Sequence, residues 1–272
     1  MATCYRHPSR ETGVSCSNCG RPICPDCMTS TPVGMRCPEC ASQRTKVVRL
    51  RDAANVPRVT YALIAINVIA FLTEQGQFSL TGGGLHGTVF EEGALYRFGI
   101  HVEHQYWRLI TSGFLHVDLL HIGFNMYLLY LLGLMLEPAI GSLRFAAVYF
   151  ASLLAGSFGA LLATSAVSLG ASGAIFGLMG AIVVELRARR LSVMESGIGG
   201  LIVINLILSF AIAGISVGAH IGGLIGGALA GFALRATGDR HKWLGLVGCL
   251  AIAALSVAGA LAAAGATGSG FA

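Results

Sequence analysis

The chain has 272 residues, 54% hydrophobic and only 11% charged, with a mean hydropathy of +0.72. This composition sets aside an ordinary soluble domain and predicts a multi-span membrane protein. The formal charge of +5 and the pI of about 8.9 call for no nucleic-acid partner, since basic residues flanking membrane spans on the cytoplasmic side account for them.

Residues 1–43 read as a small soluble domain. No secretory signal is expected at the start, because the first 20 residues are polar and cysteine-rich. Seven of the 8 cysteines fall between Cys4 and Cys40, and the eighth, Cys249, lies in an apolar run. An odd number argues against a pure disulfide framework, and metal ligation implies a reducing, cytoplasmic setting. The pairs are Cys4 with His7, Cys16 with Cys19, Cys24 with Cys27, and Cys37 with Cys40, each separated by two residues. These eight ligands suffice for two tetrahedral structural zinc ions, which would supply folding energy that so short a segment lacks. The spacing leaves sequential and interleaved pairing open. No ligand position remains open for catalysis, so the domain is expected to bind a cytoplasmic protein partner or tune the body. The segment resembles a B-box-type zinc finger, which implies the interleaved pairing.

Residues 44–58 form a basic linker expected at the cytoplasmic membrane face. Half of the lysines and arginines, 9 of 18, lie in residues 1–58. The first apolar run covers 59–73. A mixed loop, 74–114, follows with His86, Glu91, Glu92, His101, Glu103 and His104. The second span is read as 119–136. Residues 145–184 and 197–234 contain no Asp, Glu, Lys or Arg over 40 and 38 residues. A single span takes about 20 residues, so each is a hairpin of two. Their turns are expected at 164–170 and 214–218, and 244–264 makes a seventh span. Positive charge orients the set. The linker, the basic cluster at 187–190, and Arg235, Arg240 and Lys242 all fall on the cytoplasmic side, leaving the net-negative 74–114 loop outside. The expected architecture is all-α: a six-span core over 59–235 and one further span with a tail over 236–272.

Two residues stand out inside these runs. Ser172 and His220 lie 15 residues before Arg187 and Arg235, on spans that run in the same direction. At 1.5 Å per residue both sit roughly 22 Å from the inner rim, toward the outer leaflet. His121 and Asn125 on the second span fall at a similar level. A lone membrane serine ordinarily packs or bonds its own backbone, and a lone Asn is ordinarily helix–helix glue. Matched depth makes Ser172 a candidate nucleophile and His220 its candidate base. Gly223 and Gly227 share the His220 face, and Gly173, Gly177 and Ala181 make a small-residue stripe beside Ser172, which would let the helices touch. A transporter would need polar residues continuing inward. The inner halves of these spans are apolar and Gly-rich.

These residues resemble the rhomboid family of intramembrane serine proteases. The resemblance rests on Trp107-Arg108, His116, His121 with Asn125, the stretch Gly170–Gly173, and Ala219-His220 with Gly223 and Gly227, and covers roughly 57–235. It implies a Ser172–His220 dyad cleaving transmembrane substrates from within the bilayer. It also implies an oxyanion site from the Ser172 amide, Asn125 and His121, with Trp107, Arg108, His116, Gly170, Gly173, Gly223 and Gly227 in substrate-binding or structural roles. The expected setting is the plasma membrane with a cytoplasmic N-terminus. A catalytically silent relative that binds membrane proteins is the alternative. Such relatives typically lose the nucleophile or the base, and both are present here.

Overall fold

The structure, a computed structural model, describes residues 2–42, 56–73, 88–163, 166–238 and 241–266. Most of the linker (44–55), His86 and Arg240 lie outside the described residues. The chain divides into two compact units, 1–54 and 55–272.

The first unit has little regular structure. The hairpin β1–β2 pairs Ala2–Thr3 with Glu11–Thr12, and β3–β4 pairs Thr29–Thr31 with Gly34–Arg36. A 3-10 turn at Pro25–Cys27 and a short helix at Pro38–Ser42 complete it. Its buried centre is six of the cysteines plus Ile23. One aliphatic side chain offers little apolar burial against the entropy of ordering such a unit. Glu39 fastens the short helix to the N-terminus by accepting from the Tyr5 hydroxyl and Arg6. The Tyr5 hydrogen bond first, and Arg6 after it, hold the Glu39 carboxyl down to about 2.

In the second unit, seven of the described helices exceed ten residues. They are α1 Arg58–Thr73, α2 Leu119–Ile140, α3 Ser142–Ala163, α4 Ser172–Ala188, α5 Ile198–Ala211, α6 Val217–Thr237 and α7 Lys242–Gly265. Four of the described helices, α2, α3, α6 and α7 from Trp243, are long and apolar enough to cross a bilayer. Together they make this a multi-pass membrane protein. The other three expected spans are shorter helices of 16, 17 and 14 residues. α4 begins at Ser172, where Gly173 lies beside Gly156, seven residues before the end of α3.

Two boundaries differ from the sequence expectation. α2 runs past 136 to Ile140 and carries Glu137 and Pro138 inside the helix. Glu137 is fully buried yet satisfied. It accepts from the Val59 and Thr60 amides at 2.9 and 2.8 Å, the Thr60 hydroxyl at 2.7 Å and the Ser142 hydroxyl at 2.6 Å. It thereby caps the start of α1, whose first amides have no partner within their own helix. The second turn lies at 212–216 rather than 214–218, because the Ser216 side chain caps α6 by accepting from the Ala219 amide at 3.3 Å.

α4 is the central helix: every residue from Gly173 to Ile182 is buried. Helices in a bilayer gain nothing from hiding apolar surface from lipid, so close approach depends on small residues. α6 carries two such faces. A Cβ at Gly223 or Gly227 would overlap the Gly173 or Gly177 carbonyl of α4. One at Gly218 or Gly222 would overlap the Gly159 or Ala155 carbonyl of α3. α7 lies over α3 and α6. Arg97, in the short helix Arg97–His101, donates to Ala263 O near the α7 end at 3.0 Å and to Leu161 O near the α3 end. The segment before Ser172 is tied to the preceding loop, because Leu95 and Ser168 exchange both backbone hydrogen bonds, at 3.0 and 2.8 Å.

Candidate active site

Ser172 opens α4, where the backbone must turn sharply into the helix. Gly170 supplies the turn with φ +113°, a conformation that side chains disfavour, and its amide donates to Ser112 O at 2.9 Å. A Cβ at Gly170 would also press to 2.8 Å from His121 Nε2. The glycine thus brings the His121 ring alongside the Ser172 turn. As first residue of its helix, Ser172 also offers an amide with no intrahelical acceptor.

His220 lies in the first turn of α6, three residues before Gly223. The tight α4–α6 approach brings its Nε2 to 2.7 Å from Ser172 Oγ. That is hydrogen-bonding distance for a hydroxyl and an imidazole. Phe176, one turn after Ser172, stacks on the His220 ring with centroids 4.2 Å apart and planes 16° apart. The far nitrogen, Nδ1, is 2.6 Å from Ser209 Oγ on α5. Ser209 and Phe176 were not singled out from the sequence. Phe176 carried a signal, the i+4 spacing that places it above Ser172 on one helix face. Ser209 carried none, being one serine in an apolar run.

On α2, Asp118 caps the helix by accepting from the His121 amide at 2.7 Å. His121 Nδ1 accepts from the Val117 amide at 3.4 Å, and the Asn125 side-chain amide donates to His121 O at 3.0 Å. His116 is buried, with its ring 4.9 Å from that of His121. In the loop, Arg108 is buried, donates to Ala94 O at 2.8 Å and lies 4.5 Å over the Tyr96 ring. Trp107 is exposed and donates from Nε1 to Glu92 O at 3.0 Å. Ser157 of α3 ties the loop down by donating to Leu109 O at 2.8 Å.

Comparison with known proteins reads these elements together. The rhomboid domain model matches residues 103–237. Over that stretch the chain is similar to rhomboid domains. The chain is 34% identical over 168 residues to the rhomboid protease GluP of Bacillus subtilis, covering 61% of this chain and 32% of that protein. It is 33% identical over 163 residues to RHOMBOID-like protein 7 of Arabidopsis thaliana, covering 56% of this chain and 50% of that protein. It is also 36% identical over 102 residues, 37% of this chain and 29% of the relative, to the inactive RHOMBOID-like protein 8 of the same plant. The matched stretch thus spans half or less of each of these relatives. The matched stretch 103–237 takes in Ser172, His220, Ser209, His121 and Asn125, and leaves out α1, α7 and the N-terminal unit.

That first unit holds a second candidate site. Cys4, His7, Cys24 and Cys27 form one group, and Cys16, Cys19, Cys37 and Cys40 another, the ligand atoms of each lying within 4.8 Å of one another. The first pair therefore joins the third, and the second joins the fourth. Cys19 and Cys37 Sγ are 3.8 Å apart, far beyond a disulfide and near the edge of a tetrahedron with bonds of about 2.3 Å. His7 Nδ1 lies 3.3 and 3.5 Å from the Cys24 and Cys27 sulfurs. Both donor sets fit a divalent ion with a preference for sulfur and nitrogen.

Proposed function

We propose that this chain is an intramembrane serine endopeptidase that cleaves transmembrane segments of membrane proteins near the outer leaflet. Its body would span the plasma membrane seven times, with the N-terminus cytoplasmic. The observation that carries this reading is the 2.7 Å contact between His220 Nε2 and Ser172 Oγ inside an apolar helix bundle. His220 takes the Ser172 proton as Oγ attacks a peptide carbonyl, then donates it to the leaving amine, and water hydrolyses the acyl-enzyme.

The developing oxyanion needs fixed donors. The Ser172 amide is one. His121 is a second: because its Nδ1 accepts from the Val117 amide, a neutral ring carries its proton on Nε2, the nitrogen beside Gly170. The Asn125 amide is a third, since donating to His121 O uses only one of its two N–H bonds. A substrate helix would enter sideways from the bilayer and unwind locally, because its own amides are otherwise bonded internally.

Ser172→Ala in proteoliposomes should lower cleavage of a model transmembrane substrate by about a thousandfold or more, with folding intact. Undiminished cleavage would reject the dyad. The second reading, a silent binding factor, draws on the relative described as inactive. It predicts no labelling of Ser172 by a fluorophosphonate probe.

For the N-terminal unit the reading is two structural zinc ions and a cytoplasmic protein partner. Metal analysis of the purified chain should find close to two zinc per molecule, falling to one in Cys24→Ser with Cys27→Ser. A metal-free protein with a folded head would overturn it.

A further inference from the structure

We propose that Ser209 on α5 is a positioning residue that fixes the tautomer of His220, resting on the dyad reading above. A neutral imidazole has one N–H and one lone pair, and it can act as base toward Ser172 only with the lone pair on Nε2. The proton must then sit on Nδ1, and something must accept it. Among the described residues, Ser209 Oγ is the group that meets Nδ1, at 2.6 Å.

A hydroxyl faces either way, so the direction has to be decided by counting protons. Ser209 Oγ also lies 2.6 Å from Asn205 O, the carbonyl four residues back on its own helix, and donates to it. If that hydroxyl proton is spent on Asn205 O, the oxygen is an acceptor toward His220. The sequence then runs Ser172 O–H to Nε2, Nδ1–H to Ser209, Ser209 O–H to Asn205 O: three protons and three acceptors. In the opposite tautomer Nε2–H points at Ser172 and Ser209 donates to Nδ1. The side-chain bond to Asn205 O is lost, and the Ser172 hydroxyl proton loses its acceptor. The first arrangement makes one more buried hydrogen bond, and an unmade buried bond is costly in a low-dielectric interior.

Ser209 thus does with a neutral hydroxyl what a carboxylate does in a triad. Ser172 and Ser209 meet the two ring nitrogens of His220, and the apolar Phe176 ring covers its face. Because α5 is a helix separate from those of the dyad, the tautomer depends on a third helix keeping its place.

The test uses the full-length chain. First, ¹⁵N-histidine-labelled wild type in detergent, with His220→Gln to assign the signal, reports which ring nitrogen is protonated without any turnover. The expected result is protonated Nδ1, and protonated Nε2 overturns the proposal. Second, Ser209→Ala should lower kcat by about 10- to 100-fold with KM little changed, while Ser209→Thr, whose hydroxyl can make the same two bonds, restores most of the rate. Full activity in Ser209→Ala also overturns it. If wild type neither cleaves substrate nor reacts with a fluorophosphonate at Ser172, the dyad reading itself has failed. The tautomer measurement separates that outcome from a failure of Ser209, and it does not depend on any Ser209 variant folding.

Discussion

The α4–α6 seam and the helix α5 are both apolar, both lie in the stretch that matches the rhomboid domain model, and they are packed in opposite ways. Along the seam the backbones are close enough that Cβ atoms at Gly223 and Gly227 have no room. On α5 the described buried residues are Ile198, Gly199 and Ser209, while Val203, Ile204, Ile207 and Phe210 face outward, more than half exposed. The difference shows what drives association in a bilayer. α5 is the more hydrophobic helix, yet lipid solvates Ile and Phe as well as another helix does. What it lacks is a small-residue face: after Gly200 it has no glycine. One polar contact, Ser209 to His220, is its link to the candidate site. On the proposed reading, glycine gives the candidate nucleophile its rigid placement, and a serine on a thinly held helix positions the candidate base.

Truncation of Phe176 to Ala should be the costliest change on the seam side, about 3–5 kcal/mol by denaturant titration, because the ring is buried and stacked on His220. A loss below 1 kcal/mol would show that the seam is not the rigid half. Glu137→Ala should cost about 3 kcal/mol, since it leaves the Val59 and Thr60 amides and two hydroxyls without their acceptor. Protease accessibility at the start of α1 reports that loss, and Glu137→Gln should recover part of it. Gly227→Ala should cost about 1–3 kcal/mol, because the new methyl overlaps backbone that cannot rotate away. On α5, Ile204→Ala removes more atoms than Gly227→Ala adds, yet should change stability by no more than about 0.5 kcal/mol. Were Ile204→Ala to cost as much as Gly227→Ala, α5 would be packed as firmly as the seam and the contrast would collapse.

The legible part of the site was the part carried by spacing. Ser172 and His220 each precede a basic residue by the same distance, so their depth could be read from helical rise alone. The glycines at 223 and 227 fall at intervals that put them on the His220 face. Glu137 was not legible. A carboxylate at the end of an apolar run reads as a span terminus, and nothing in the chain near it announces that the amides of residues 59 and 60 will come to it. The turn before α6 was misplaced for a similar reason: Gly214 and Gly218 marked it, but the cap belongs to Ser216.

The sequence by itself determined what is local or periodic: the number of apolar runs, the Cys/His spacing of the head, and the matched depth of Ser172 and His220. Those follow from chain geometry, which is fixed at 1.5 Å per helical residue wherever the helix lies. Tertiary structure decided which side chains meet. It joined the first Cys/His pair to the third and the second to the fourth, set the Gly170 turn against His121, and brought Ser209 to His220. Such contacts depend on the rotation and tilt of helices distant in sequence, which packing sets after the helices have formed.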